Sequence, residues 1–371
     1  MRYYLIAGER SGDLHGSNLI KSLKKKDPQA EFRAWGGEYM ENAGANLVVH
    51  YDNLGFMGFM EVLIYFRKIL KYIKLCKKDI ISYQPDVVIL IDFAGFNMRI
   101  AQFLKKKGVL VYYYISPKIW AWNTGRARKI KKSIDRMFVI LPFEKAFYHQ
   151  YNYDVDYVGN PVVDAIDSHT PDPSFLKGIG LLKDEKYVAL LPGSRKQELE
   201  SILPEMVKLA RSMPDVIFIL GAIHGVNDSY YATSTSVQNI KLVFDRTYDV
   251  LAYAHAAVVT SGTATLETCL WKVPQVVVYK SNSRISMAIA KMVIKVKFIS
   301  LVNLIAGKEV VKELIQENLS PENLNDEVVK LYKNNQYRNQ ILDSYEEISS
   351  ILGKDPVSDK AATMIVKYLN G

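Results

Sequence analysis

Val87-Val88-Ile89-Leu90-Ile91-Asp92 is the stretch on which the fold turns. Five aliphatic residues in succession leave no polar face, so the segment reads as a strand of a parallel sheet covered on both sides. Asp92 follows at its tip, where the carboxyl ends of parallel strands open onto a ligand crevice. Desolvation there raises the pKa of a carboxylate toward the range useful to a general base. The plain alternative is a carboxylate that caps the next turn.

The same grammar recurs outward from this strand. Apolar runs at 3–7, 109–115 and 136–141 alternate with helical patterns, and the alternation restarts with strands at 187–191, 216–220, 240–244, 256–260 and 275–279. Between the two series, 164–186 carries Pro171, Pro173 and several charges and reads as a hinge. The expected architecture is α/β, two Rossmann-like, doubly wound parallel-sheet domains facing a cleft. Their expected spans are 1–165 and 166–345. A helical segment, 346–371, either packs back on the first domain or is exchanged in a dimer.

Composition narrows the partners. The 371 residues are 49% hydrophobic and 23% charged, with 48 Lys+Arg against 39 Asp+Glu, a net charge of +9. That excess favours nucleic acid, an anionic membrane surface or phosphorylated substrates without choosing among them. Cys76 and Cys269 are the only cysteines, so neither a disulfide framework nor a CxxC metal site is expected, and a reducing cytoplasm fits. No apolar stretch approaches the roughly 18 residues of a membrane span, and the N-terminal run is too short for a signal peptide.

Three loops have anion-binding chemistry. Gly8-Glu9-Arg10-Ser11-Gly12-Asp13 joins the first strand to a helix, where free N–H groups attract anions. Its spacing is not G-x-G-x-x-G, and it reads equally as a plain strand-to-helix turn. Pro192-Gly193-Ser194-Arg195 and Ser261-Gly262-Thr263-Ala264-Thr265 follow strands of the second series and suit a pyrophosphate. Glu267, one turn on, suits ribose hydroxyls or simply the positive helix end. Ser116-Pro117-Lys118-Ile119-Trp120-Ala121-Trp122 suits sugar or acyl contact and plain packing equally.

The segment 56–78 reads as an amphipathic helix, with Phe59, Leu63, Phe66, Leu70 and Ile73 on one face and Arg67, Lys71, Lys74 and Lys78 beside them. It is either a core-packed surface helix or a helix lying on an anionic membrane. The stretch 285–301, with Lys291, Lys295 and Lys297, repeats the theme.

Taken in order, Gly8-Glu9-x-Ser11-Gly12-Asp13, Ile91-Asp92-x-x-x-Phe96-Asn97, Ser116-Pro117-x-x-Trp120-Ala121-Trp122, Leu141-Pro142-Phe143-Glu144, Leu190-Leu191-Pro192-Gly193-Ser194-Arg195, Ser261-Gly262-Thr263-Ala264 and Asn303-Leu304-x-Ala306-Gly307 resemble the lipid-A-disaccharide synthase family from residue 3 to about 315. The resemblance implies a GT-B fold and an inverting, metal-independent glycosyltransferase with no resident cofactor. Its implied donor is UDP-2,3-diacylglucosamine and its acceptor 2,3-diacylglucosamine 1-phosphate (lipid X). It implies a cytoplasmic enzyme, peripheral on the inner face of the inner membrane. By position Asp92 matches the family's essential aspartate and Arg195 its essential arginine. Ser11, Ser261, Gly262, Thr263, Glu267 and Asn303 match positions around nucleotide and sugar, and Gly8, Glu9, Gly12, Asn97 and Ser194 are grouped with them.

The chain departs from the family in two places. It often reads Asp-Ala-Pro-Asp-Phe-Asn where this chain has Asp92-Phe93-Ala94-Gly95-Phe96-Asn97, which leaves Asp92 the sole carboxylate there. Arg10 stands where Ala is common. Members exchange C-terminal segments in a homodimer, which the weak match beyond 315 leaves open. Two competing readings are another GT-B UDP-sugar enzyme, a glycosyltransferase or an epimerase, and a non-catalytic membrane-surface protein. An epimerase would need further acid/base carboxylates near the sugar and would leave the 56–78 helix without a purpose, and the membrane-surface protein leaves Asp92 and Arg195 unexplained.

Overall fold

The computed structural model describes residues 1–54, 66–224, 228–281 and 297–371. The chain divides into two compact units, 1–161 with 355–371, and 162–354. The first is a single parallel sheet of β1 (Arg2–Ala7), β2 (Glu31–Gly36), β3 (Asn46–His50), β4 (Val87–Ile91), β5 (Val111–Tyr114), β6 (Arg136–Val139) and β7 (Asp156–Tyr157), ordered β3-β2-β1-β4-β5-β6-β7. All five residues of β4 are fully enclosed because helices cover both faces. Tyr4, Ile6, Val88 and Leu90 pack under the helices Phe66–Tyr83 and Ala94–Lys105. Tyr3, Leu5, Ile89 and Ile91 pack under Arg10–Lys26 and Val357–Leu369. Each such aliphatic chain contributes about 1.5–3 kcal/mol on burial.

The second unit repeats the plan with β8 (Tyr187–Leu191), β9 (Ile217–Ala222), β10 (Ile240–Phe244), β11 (Ala256–Thr260), β12 (Gln275–Tyr279) and β13 (Glu313–Ile315), all parallel in the order β10-β9-β8-β11-β12-β13. In both sheets the strand order reverses at one place, between β1 and β4 and between β8 and β11. Such a switch point leaves a crevice beyond the strand ends, because the connecting helices depart to opposite faces.

Four strands lie outside the sequence expectation. β2 alternates charged and apolar residues, β3 is half-buried along most of its length, and β7 and β13 have two and three residues. None makes the continuous apolar run that marks β4. The stretch 164–186 is not a bare hinge but part of the second unit. Phe175 is buried and stacks on Tyr253 at 6.0 Å, while Asp172 pairs with Arg246 at 2.6 Å. The division accordingly falls at 161/162. At the other end, the helix Asn335–Leu352 stays with the second unit, and only Val357–Leu369 joins the first.

The helix Phe66–Tyr83 is turned differently from the expected face. Ile69, Ile73, Cys76 and Ile80, at i, i+4, i+7 and i+11, enter the core. Ile73 therefore does not share a face with Leu70, which is 45% exposed. Phe59, Leu63 and the Phe66 side chain lie outside the described residues, as do Lys291 and Lys295. Among the described residues no helix is long and apolar enough to cross a membrane.

Ile365, fully enclosed on the terminal helix, makes that helix part of the first unit's core. Ile365→Ala should lower stability by about 2–4 kcal/mol in urea unfolding. An unchanged midpoint and slope would mean the helix contributes nothing to that core.

Candidate functional site

The loops after β1 and β4 meet at the first switch point. Gly8 is enclosed there, and a Cβ on it would lie 2.2 Å from the Phe93 ring. Only glycine lets the second loop drape over the first. Gly12 is buried on the sheet, whereas Glu9, Arg10 and Ser11 are exposed at the start of the helix Arg10–Lys26. Asp13 turns inward instead. Its carboxylate accepts from the backbone N–H groups of Gly37 at 2.8 Å, Tyr39 at 3.0 Å and Met40 at 3.1 Å, tying this loop to the end of β2.

Beyond β4 the chain takes two left-handed residues in succession, Asp92 (φ +44) and Phe93 (φ +52). For non-glycine residues each costs about 1–2 kcal/mol, with Asp at the lenient end. Asp92 remains half-buried. Asn97 is wholly enclosed. Its Nδ2 donates to the main-chain oxygens of Asp92 at 2.9 Å, Ile91 at 3.3 Å and Ile6 at 3.4 Å. The Tyr113 hydroxyl donates to the same Asp92 oxygen. Asn97 thus supports the loop rather than facing solvent.

The loop after β5 begins with another left-handed residue, Ile115 (φ +67). Its anchor is Glu144, 1% exposed, whose carboxylate accepts from the Ser116 hydroxyl, from Trp120 Nε1 at 3.2 Å and from the N–H groups of Ile140 at 3.1 Å and Leu141 at 2.9 Å. Burial pushes the Glu144 pKa up, against the pull of these donors. Trp120 is buried with its ring edge-on to Phe143 at 4.9 Å, so of its two readings packing is the one observed.

At the second switch point the loop after β8 is closed on itself. Gly193 has φ +101, and a Cβ there would sit 2.2 Å from Glu198 Oε2. That oxygen accepts from the backbone N–H groups of Ser194 at 3.0 Å and Arg195 at 3.2 Å, at the start of the helix Lys196–Ser212. The Ser194 and Arg195 side chains are exposed. The loop after β11 differs. Gly262 and Thr263 are exposed, and among the described residues no side chain caps the helix Thr263–Leu270. Its first-turn N–H groups therefore retain the anion preference of a helix start.

Behind that opening, Ser261 Oγ donates to Ile299 O at 3.0 Å. Glu313 accepts from the N–H groups of Ile299 and Ser300, both at 2.9 Å, from Ser300 Oγ at 2.7 Å and from Asn303 Nδ2 at 2.9 Å. Asn303 is enclosed, and its Oδ1 accepts from Val310 and Val311 at 2.8 and 3.0 Å. Both ends of its amide are occupied, so it holds the turn together. Glu267, half-buried, accepts from the Tyr248 hydroxyl at 3.0 Å, and burial raises its pKa despite that bond.

Asp13 and Glu144 stand inside the motifs, but nothing in the sequence marks them as anchors, and nothing there singles out Tyr113, Tyr248 or Glu313. Tyr113 lies inside a strand with nothing local to distinguish it. Away from the switch points, Arg67, Leu70, Lys71, Lys74, Leu75 and Lys78 form one exposed face of the helix Phe66–Tyr83.

The fold has counterparts. A solved UDP-GlcNAc 2-epimerase from Neisseria meningitidis, bound to UDP-GlcNAc, is similar with a TM-score of 0.69 at 14% identity, covering 100% of both chains. The calicheamicin glycosyltransferase CalG4 is similar with a TM-score of 0.65 at 14% identity, over 100% of this chain and 98% of that one. At that identity the likeness concerns the fold, which is the GT-B arrangement of two parallel-sheet domains. The lipid-A-disaccharide synthase of Syntrophus aciditrophicus (strain SB) is 39% identical over 372 residues, 98% of this chain and 97% of that protein. The enzyme of that name from Coxiella burnetii (strain CbuG_Q212) is 37% identical over 365 residues, 97% and 96% of the two chains. The profile of the family described as Lipid-A-disaccharide synthetase matches residues 3–366. With its motifs seated at the ends of β1, β4, β8 and β11 and its sequence matched almost end to end, the chain belongs to the lipid-A-disaccharide synthase family.

Proposed function

We propose that this protein transfers 2,3-diacylglucosamine from UDP-2,3-diacylglucosamine to the 6-hydroxyl of 2,3-diacylglucosamine 1-phosphate, giving the β-1,6-linked lipid A disaccharide 1-phosphate and UDP. The observation that carries the reading is the family match over residues 3–366. In the first unit, Asp92 takes the proton from the acceptor hydroxyl as its oxygen attacks the donor's anomeric carbon. The new C1–O6 bond forms opposite the breaking bond to UDP, and the anomeric centre inverts. In the second unit, the uncapped N–H groups at Thr263 and the Arg195 guanidinium neutralise the diphosphate that leaves. Glu267 receives the ribose hydroxyls, its carboxylate steadied by Tyr248. The reading invokes no metal ion and no resident cofactor.

Both sugars carry acyl chains, so the enzyme must meet them at a membrane. The exposed face bearing Arg67, Lys71, Lys74 and Lys78 around Leu70 and Leu75 supports peripheral attachment to an anionic surface, the cytoplasmic face of the inner membrane. Basic residues near such a surface contribute about 1 kcal/mol each, and the leucines add apolar contact.

Mass spectrometry of the products from UDP-2,3-diacylglucosamine and lipid X should find the disaccharide 1-phosphate and UDP. Epimerised donor without disaccharide would overturn the reaction. Asp92→Asn should cut UDP release by about 10²–10⁴-fold while UDP binding persists; full activity in that variant would sink the base assignment. Lys71→Glu combined with Lys74→Glu should weaken binding to vesicles containing anionic lipid by about 10-fold or more at physiological salt, with the thermal midpoint retained. Unchanged vesicle binding would remove this face from the membrane contact.

A further inference from the structure

We propose that Asn97 and Tyr113 are positioning residues: together they clamp the main-chain oxygen of Asp92 and thereby set the direction of the Cα–Cβ bond from which its carboxylate projects. The inference rests on the reading of Asp92 as the base. Residue 92 is left-handed, as is Phe93 after it, and neither is glycine. Such a pair persists only where the surroundings over-determine it. Four contacts do so. The Phe93 ring fills the space that a Cβ on Gly8 would take. Asp92 N donates to Tyr114 O at 3.4 Å, a long bond. The Asp92 carbonyl accepts from both Asn97 Nδ2, at 2.9 Å, and the Tyr113 hydroxyl.

The Asn97 amide has one workable orientation. Three carbonyl oxygens, those of Ile6, Ile91 and Asp92, lie 2.9–3.4 Å from its Nδ2. Only the NH₂ group can face them, since an oxygen there would confront three acceptors. The two donors come from different elements, the helix Ala94–Lys105 and β5, and both side chains are fully enclosed. With the carbonyl of residue 92 held by two immobile donors and its N–H held by Tyr114 O, both sides of Cα are restrained, and tetrahedral geometry then leaves the Cβ one direction. A base must lie within hydrogen-bond reach of the proton it takes, and a displacement of about 1 Å costs on the order of 10²-fold in rate. Neither Asn97 nor Tyr113 touches the substrate in this account; both act through Asp92.

The test measures kcat and KM for Asn97→Ala and Tyr113→Phe, each in the parent and in the Asp92→Asn background. Tyr113→Phe removes one oxygen and leaves the ring in place, so it decides the matter even if Asn97→Ala fails to fold. In the parent, kcat should fall on the order of 10-fold for Tyr113→Phe and 10²-fold for Asn97→Ala, with KM for both lipids within about twofold. In the Asp92→Asn background neither change should lower the residual rate further, because no base remains to be misdirected. Parent-like kcat in folded Tyr113→Phe, or losses that multiply with that of Asp92→Asn, overturns the clamp. Full activity of Asp92→Asn alone is a different result, the failure of the base assignment itself.

Discussion

An all-parallel sheet delivers every strand to a loop at the same edge, and the backbone groups released there must find partners. A buried N–H left without one costs about 1–3 kcal/mol. In this protein buried or half-buried carboxylates supply the acceptors. Asp13 gathers three N–H groups at the end of β2, and Glu144 joins the loops after β5 and β6. Glu198 closes the loop after β8, and Glu313 holds the turn at Ile299 and Ser300. Without these acceptors the loops at the two switch points would have to refold around water or give up their helix starts.

That constraint divides the family's polar motif residues into two kinds. Asn97, Glu144 and Asn303 are enclosed, and the Asn97 Nδ2, the Glu144 carboxylate and both ends of the Asn303 amide bond within the protein. Ser11, Ser194, Arg195 and Thr263 are exposed, and Asp92 is half-exposed. A motif residue that never meets solvent still bears on the chemistry, by fixing the peptide planes from which the exposed ones project. The contrast between the two loops of the second unit follows. The helix start after β8 is already neutralised by Glu198, whereas the one after β11 has no side-chain cap among the described residues and remains the better partner for a diphosphate.

Legibility from the chain depended on how much each signal was local. β1, β4, β8, β11 and β12 were readable because they are buried on both faces and so are apolar at every position or nearly so. β2 and β3 were not, because half-buried strands admit Glu31, Arg33, Asn46 and His50. The Phe66–Tyr83 helix was recognisable as amphipathic, but its inward side was not. Isoleucines and leucines lie all around it, and contact with Phe96, Ile100 and Leu104 selects Ile69, Ile73 and Ile80. Trp120 was ambiguous for a similar reason, since an indole beside a crevice packs or stacks according to what lies above it.

By itself the sequence determined the periodic order of strands and helices, and with it two parallel sheets and the four loops at their switch points. Hydrophobic period and loop position are properties of neighbouring residues, and neighbours suffice to read them. Which side chain satisfies which loop was decided only by the tertiary structure. Glu144 lies 28 residues from Ser116, and Asn97 lies 91 from Ile6, separations that no local pattern spans. The same holds for Asp92, the carboxylate at the tip of β4. Its place at the end of an apolar strand is visible in six letters, but the left-handed backbone that aims it depends on Gly8, Asn97 and Tyr113 meeting around it.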